Sequence, residues 1–177
     1  MSIEIPRNNP NKHETIDDNA LKFTLNGIDR DFLAAAGATS FVLTTDWIEM
    51  SKDYEKKLAL KTYPDGRRDT LLIKKITNDT GDRKTVKLNL DQKQYDELLD
   101  QSVKHLEKIR HEFDYRQNGT IFSMKYDEFI DSPLRILEVD GIDEATRAYF
   151  LPNQFPYELT NVTGEIEYYG HRIADLI

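Results

Sequence analysis

Charged residues recur at every second position through much of this chain. Lys57 and Lys61, Lys74, Lys87, Lys108 and Arg110, Lys125 and Asp127, and Glu138 and Asp140 alternate with apolar neighbours. Residues two apart on a strand share a face, so these segments describe strands with one apolar face and one face bearing both signs of charge. Two arrangements produce that pattern. One is an open sheet whose charged face is solvated. The other is a barrel whose charges point into a wet interior while its apolar faces carry helices outside. Inward charges are tolerated only with partners, so such an interior is a site for a highly charged ligand.

Other chemistries find little support. His13, His105, His111 and His171 are scattered without metal-ligand spacing. There is no Gly-x-Ser-x-Gly elbow and no glycine-rich phosphate loop. The chain has no cysteine, which removes disulfides, thiolate metal sites and cysteine nucleophiles. With 24 basic and 32 acidic residues among 177, the net charge is −8, a poor basis for wrapping a nucleic acid duplex. No segment reaches the roughly 20 apolar residues of a membrane span. The start, Met1-Ser2-Ile3-Glu4-Ile5-Pro6, lacks the basic flank and apolar core of a signal peptide. The expectation is a soluble, cytoplasmic protein with no membrane partner.

The elements that must position these charges follow from local patterning. Residues 1–17 are polar, are broken by Pro6 and Pro10, and read as an arm; residues 18–177 read as one domain. Leu21, Phe23 and Leu25 predict a short strand ending at Asn26-Gly27. Asp29 caps a brief helix that ends near Gly37. Phe41 to Met50 reads as a strand, and a hairpin turns at Pro64-Asp65-Gly66 between Lys57–Lys61 and Thr70–Lys74. A further strand covers residues 85–90. Asp91 then starts a long helix with Tyr95, Leu98, Leu99, Val103 and Leu106 on its stripe. Period two returns with Lys108 and Arg110 facing away from Ile109, His111 and Phe113. Asn118-Gly119 turns into the strand Ile121–Ile130, followed by strands near 134–140 and 159–163. Seven or eight strands joined by turns, with few helices, predict an α+β meander.

The order of these segments resembles the CYTH family of triphosphate tunnel metalloenzymes, which includes class IV adenylyl cyclases, thiamine triphosphatases and inorganic triphosphatases. Leu137-Glu138-Val139-Asp140 is similar to its acidic Glu-x-Glu strand, and Phe150-x-Pro152, Val162-Thr163-Gly164 and Tyr168 to its closing segment. Lys108-Ile109-Arg110 resembles its Lys-x-Arg strand, Tyr126-Asp127-Glu128-Phe129 its Asp-x-Phe strand, and Leu72-Ile73-Lys74 the strand ending in a lumen lysine. The resemblance implies a closed or nearly closed eight-stranded antiparallel barrel. It further implies phosphate binding by Lys22, Lys61, Lys74, Arg83, Lys87, Lys108 and Arg110, and Mg²⁺ or Mn²⁺ held by Glu138, Asp140 and Asp127. For each lysine the alternative is a solvated surface charge, and for the acids it is pairing with lumen lysines.

The departures concern acids. Where the family signature has Glu-x-Glu-x-Lys, this chain has Asp18-Asn19-Ala20-Leu21-Lys22, and its Arg-x-Glu-x-Glu strand becomes Arg83-Lys84-Thr85-Val86-Lys87. The expected function is therefore capture of a small phosphorylated molecule (nucleotide, triphosphate or other oligophosphate) with weak or no turnover. The alternatives are a metal-dependent triphosphate hydrolase or nucleotide cyclase, and a non-catalytic interaction scaffold.

Overall fold

The computed structural model describes residues 12–16, 20–81, 83–141 and 143–177. Asp18 and most of the polar arm lie outside these residues. Among the described residues, ten antiparallel strands form a single sheet. In chain order they are β1 (Lys12–Ile16), β2 (Leu21–Thr24), β3 (Thr39–Met50), β4 (Tyr54–Thr62), β5 (Arg68–Thr77), β6 (Arg83–Asn89), β7 (Lys104–Gln117), β8 (Thr120–Phe129), β9 (Arg135–Asp140) and β10 (Thr160–Asn161). Their order across the sheet is β1-β6-β5-β4-β3-β7-β8-β9-β2-β10. β1, within the segment read as an arm, pairs with β6 along its whole length.

Local chemistry explains the turns and helices. Asn118 and Gly119 both take positive φ, 51° and 81°, as a two-residue hairpin between β7 and β8 requires. Helix α1 (Arg30–Ala35) is capped by Asp29, whose carboxylate accepts from Phe32 N at 2.8 Å. Helix α2 (Gln92–Leu99) opens with a reciprocal capping box between Asp91 and Gln94. It is shorter than the periodicity predicts. Leu106 belongs to β7 and Val103 is exposed, so the last two members of the stripe have helical spacing without helical structure.

Apolar groups pack on both faces. On one face, α2 covers β4–β6 through Leu58, Leu60, Leu72, Leu88, Tyr95 and Leu98. On the same face further along, Phe23, Leu33, Phe113, Phe122 and Phe150 bury α1 and the later loops against β7–β9 and β2. The opposite face curls around a cavity. At one end Trp47, Leu106, Phe129 and Ile136 pack against Ile173 of the C-terminal helix α3 (Gly170–Ile173). Gly170 permits that seat, since a Cβ there would approach Trp47 Cζ2 to 3.1 Å.

Of the expected closed or nearly closed eight-stranded antiparallel barrel, the structure keeps the antiparallel sheet with few helices and corrects the rest: among the described residues the curled sheet has ten strands and is not closed. Among the described residues no strand pairing joins the β1–β6 edge to the β2–β10 edge. The outer edge of β6 is taken by β1 and that of β2 by β10, and the Tyr169 ring lies 5.3 Å from Lys22 Nζ and 5.9 Å from the Arg83 guanidinium carbon. No described helix is long and apolar enough to cross a membrane.

Candidate anion-binding cavity

The curled face encloses a cavity of about 350 Å³. Strand register places its charges. Arg110 on β7 lies opposite Asp127 on β8, Lys125 on β8 opposite Glu138 on β9, and Glu138 opposite Lys22 on β2. All share one face, so four neighbouring strands converge their polar side chains.

On this wall Asp127 is fully engaged. Arg110 donates Nε to Oδ1 at 2.7 Å and Nη2 to Oδ2 at 2.6 Å, and Lys108 Nζ reaches Oδ2 at 2.5 Å. Glu138 meets Arg110 at 3.5 Å and Lys22 at 3.8 Å, and Asp140 meets Lys125 at 3.4 Å. Burial opposes ionisation of both Asp127 and Glu138, but Arg110 and the lysines outweigh it and hold both below the usual carboxylate range. Burial, reinforced by Arg110, pulls Lys108 below its ordinary value.

The facing wall is built on Glu55 of β4. Its Oε1 accepts from Trp47 Nε1 and from Lys57 Nζ, each at 2.7 Å, and its Oε2 from Arg83 Nη2 at 3.2 Å. Burial resists the charge on Glu55, yet Lys57, Lys75 and the indole donor bring its pKa down to about 2. Lys57 is the member nearer neutrality, because burial and the neighbouring Lys75 lower it to about 8. Arg83 Nε is buried without a hydrogen-bond partner. Leaving such a donor unmet costs about 1–3 kcal/mol.

Of the residues expected to bind phosphate, Lys22, Lys61, Arg83, Lys87, Lys108 and Arg110 line this one cavity. Lys74 does not. Leu72 packs under α2, and Lys74, two residues on, shares that outer face, whereas Leu71, Ile73 and Lys75 face inward. The correction is one residue, from Lys74 to Lys75. Glu138 and Asp140 line the cavity, while Asp127 lies beneath Lys108 and Arg110. Lys75, Glu55 and Tyr169 were not singled out from sequence, and Lys57 and Lys125 only as part of the alternation. Strand parity finds Lys75 once Leu72 is assigned to the helix side. Nothing local marks Tyr169, which arrives from the far end of the chain.

Among the described residues, nine cationic side chains line the cavity: Lys22, Lys57, Lys61, Lys75, Arg83, Lys87, Lys108, Arg110 and Lys125. Against them stand five carboxylates, namely Glu55, Glu112, Glu138 and Asp140 in the lining and Asp127 below it. Among the described residues the local excess is four positive charges, in a chain of net charge −8. The donor set does not fit a divalent metal. Asp127 has both oxygens committed to cations, Glu138 and Asp140 each face a cation, and no group of three or more acidic or histidine side chains converges among the described residues.

The fold has counterparts among solved structures. The crystal structure of the inorganic triphosphatase NE1496 is similar with a TM-score of 0.57 and 17% identity, covering 89% of this chain and 97% of that one. A second structure, of the hypothetical protein NE1496, gives 0.55 at 17% identity and covers 92% and 97%. At that identity the likeness concerns the fold. No protein-family model matches the chain, and no curated protein does.

Proposed function

We propose that this chain binds a small phosphorylated ligand bearing a triphosphate or similar oligophosphate in the cavity, with weak or no turnover. The observation that carries the reading is the excess of four positive charges, among the described residues, around one cavity. A terminal phosphate carries up to about two negative charges at neutral pH, and two further phosphates bring a triphosphate to about four. The two arginines in the lining, Arg83 and Arg110, support the same reading, since charge-assisted bonds to phosphate oxygens are the strong class of hydrogen bond.

The carboxylates act here as counter-charges that keep the cations apart and oriented. Binding by this route needs no metal bridge between protein and phosphate. A second reading, a triphosphatase, is favoured by the fold shared with the protein described as an inorganic triphosphatase. The experiment that separates them uses tripolyphosphate and nucleoside triphosphates, with and without Mg²⁺ or Mn²⁺. The binder raises its melting temperature with ligand alone, as mass action requires, and releases little phosphate. Metal-dependent turnover in the enzymatic range of about 1–1000 per second reverses the assignment.

A further inference from the structure

The helix-bearing face of the sheet, away from the cavity, brings together three polar side chains that lie far apart in sequence. Ser40 at the start of β3, His111 on β7 and Glu128 on β8 form one hydrogen-bonded chain. Ser40 Oγ lies 2.6 Å from His111 Nδ1, and Glu128 Oε1 lies 2.7 Å from His111 Nε2. Register builds the row. Ser40 pairs with His111, and His111 pairs with Tyr126, whose ring stacks on the imidazole at 5.5 Å. Strand parity puts His111 with Phe113 on this face, opposite Lys108 and Arg110 in the cavity lining.

The carboxylate fixes the protons. Glu128 can only accept, so Nε2 carries hydrogen and donates to it, and Nδ1 of the neutral ring accepts from the Ser40 hydroxyl. Hydroxyl, base and orienting carboxylate in that order make an activated nucleophile, here with the two ring nitrogens exchanged relative to the usual triad. His111 is only 2% exposed and its ring is held fast, whereas Ser40 is half-buried beside the exposed Thr39. Arg30, whose side chain is 67% exposed, lies 3.0 Å from Glu128 and 3.2 Å from His111 Nε2, and Arg135 lies 3.5 Å from Glu128. One acid thus answers two arginines, and the cluster lacks the surplus of positive charge found in the cavity. It suits a neutral electrophile. The outward N–H groups of Arg30 are donors for an oxygen that gains negative charge.

We infer that Ser40 is a nucleophile toward small neutral carboxylic esters, with His111 as its base and Glu128 as the residue that positions His111. Ser40 Oγ bonds to the ester carbonyl carbon while its proton passes to His111 Nδ1. The tetrahedral intermediate expels the alkoxide, which takes that proton and leaves as the alcohol. Water then attacks the acyl-serine by the same route, releasing the carboxylic acid and restoring the hydroxyl. This site lies on the other face of the sheet and does not depend on the anion-binding reading.

The test treats the full chain with diisopropyl fluorophosphate, which marks activated serines, and follows each serine by peptide mass spectrometry. General-base assistance is worth about a hundredfold or more, so Ser40 is expected to react about a hundredfold faster than the exposed Ser51 and Ser123. Unfolding in urea is expected to abolish that preference, a comparison that needs no variant. Glu128→Gln, which keeps size and an acceptor oxygen, is expected to slow Ser40 at least tenfold. With p-nitrophenyl acetate the unmodified protein is expected to release nitrophenol in a burst that Ser40→Ala removes, while tripolyphosphate affinity stays unchanged. Ser40 reacting no faster than Ser51 and Ser123, or keeping its preference in urea, overturns the inference. So does a folded Glu128→Gln protein that reacts at the original rate, since the chain would then be a structural hydrogen-bond row only.

Discussion

Arg110 grips Asp127 with two parallel donors, Nε and Nη2, at 2.7 Å and 2.6 Å beneath the cavity surface. The geometry is the two-pronged form that arginine makes with a carboxylate. Lys108 shares the same carboxylate, so one buried acid holds two cations in place. Removing one partner from a buried ion pair costs about 3–5 kcal/mol, because the survivor stays charged and unmet. Asp127→Ala is therefore expected to destabilise the fold by that amount in denaturant unfolding. An effect below about 1 kcal/mol contradicts the structural role given to Asp127.

Lys57 supplies a pH signature for binding. Its pKa of about 8 means that the folded protein loses a cavity charge as pH rises through that value. Phosphate affinity is expected to fall between pH 7 and 9 in the unmodified protein, and Lys57→Met to remove that step. For stability the sign is opposite. The unfolded lysine keeps its proton up to about 10.5, so between 8 and 10.5 the unfolded state binds more protons and stability rises with pH. Titrations and melting curves at matched ionic strength check both.

Much of this was legible in the alternation of residues, and the reasons it was not all legible are physical. Parity alone put Lys108 and Arg110 opposite Ile109, His111 and Phe113, since one face had to be apolar. Parity misled at Lys74-Lys75, where two adjacent lysines fit either register. The strand's assignment depended on which of Leu71 and Leu72 meets a helix, a tertiary fact. The stripe through Val103 and Leu106 failed because period 3.6 and period 2 coincide over so few residues. Closure was hidden for a different reason. Which strands take the two edges depends on pairings of β1 with β6 and of β10 with β2, between segments far apart in sequence.

Glu55 carries an acid-linked prediction. Its pKa of about 2 lies below its ordinary 4.5 because Lys57, Lys75 and Trp47 together outweigh the cost of burial. A depressed carboxylate contributes stability above its unfolded pKa and loses it as pH falls through the folded one. That contribution, about 3–4 kcal/mol at roughly 1.4 kcal/mol per unit, is expected to disappear between pH 4.5 and 2. Glu55→Gln is expected to lower the melting temperature at pH 7 and to flatten its decline in acid. Parallel curves for both proteins would detach Glu55 from the acid transition.

The balance of charge in the cavity can be moved deliberately, and the positions for doing so face it. Ala20, Thr85 and Lys87 all line the space, which is where the resemblance led acids to be expected. Thr85 is buried, so a larger acid there must displace its neighbours. Ala20→Glu with Lys87→Glu avoids that and lowers the positive excess by three charges, from four to one. Direct attraction for a polyanion then weakens, and carboxylates on β6 and beside β2 become available to a hard divalent cation. The double variant is expected to bind tripolyphosphate at least tenfold more weakly without metal, and to recover part of that affinity with Mn²⁺. The unmodified protein is expected to show little change on adding Mn²⁺. Equal metal dependence in both proteins would mean that the existing carboxylates already hold a cation, and the counter-charge role assigned to Glu138 and Asp140 would fall.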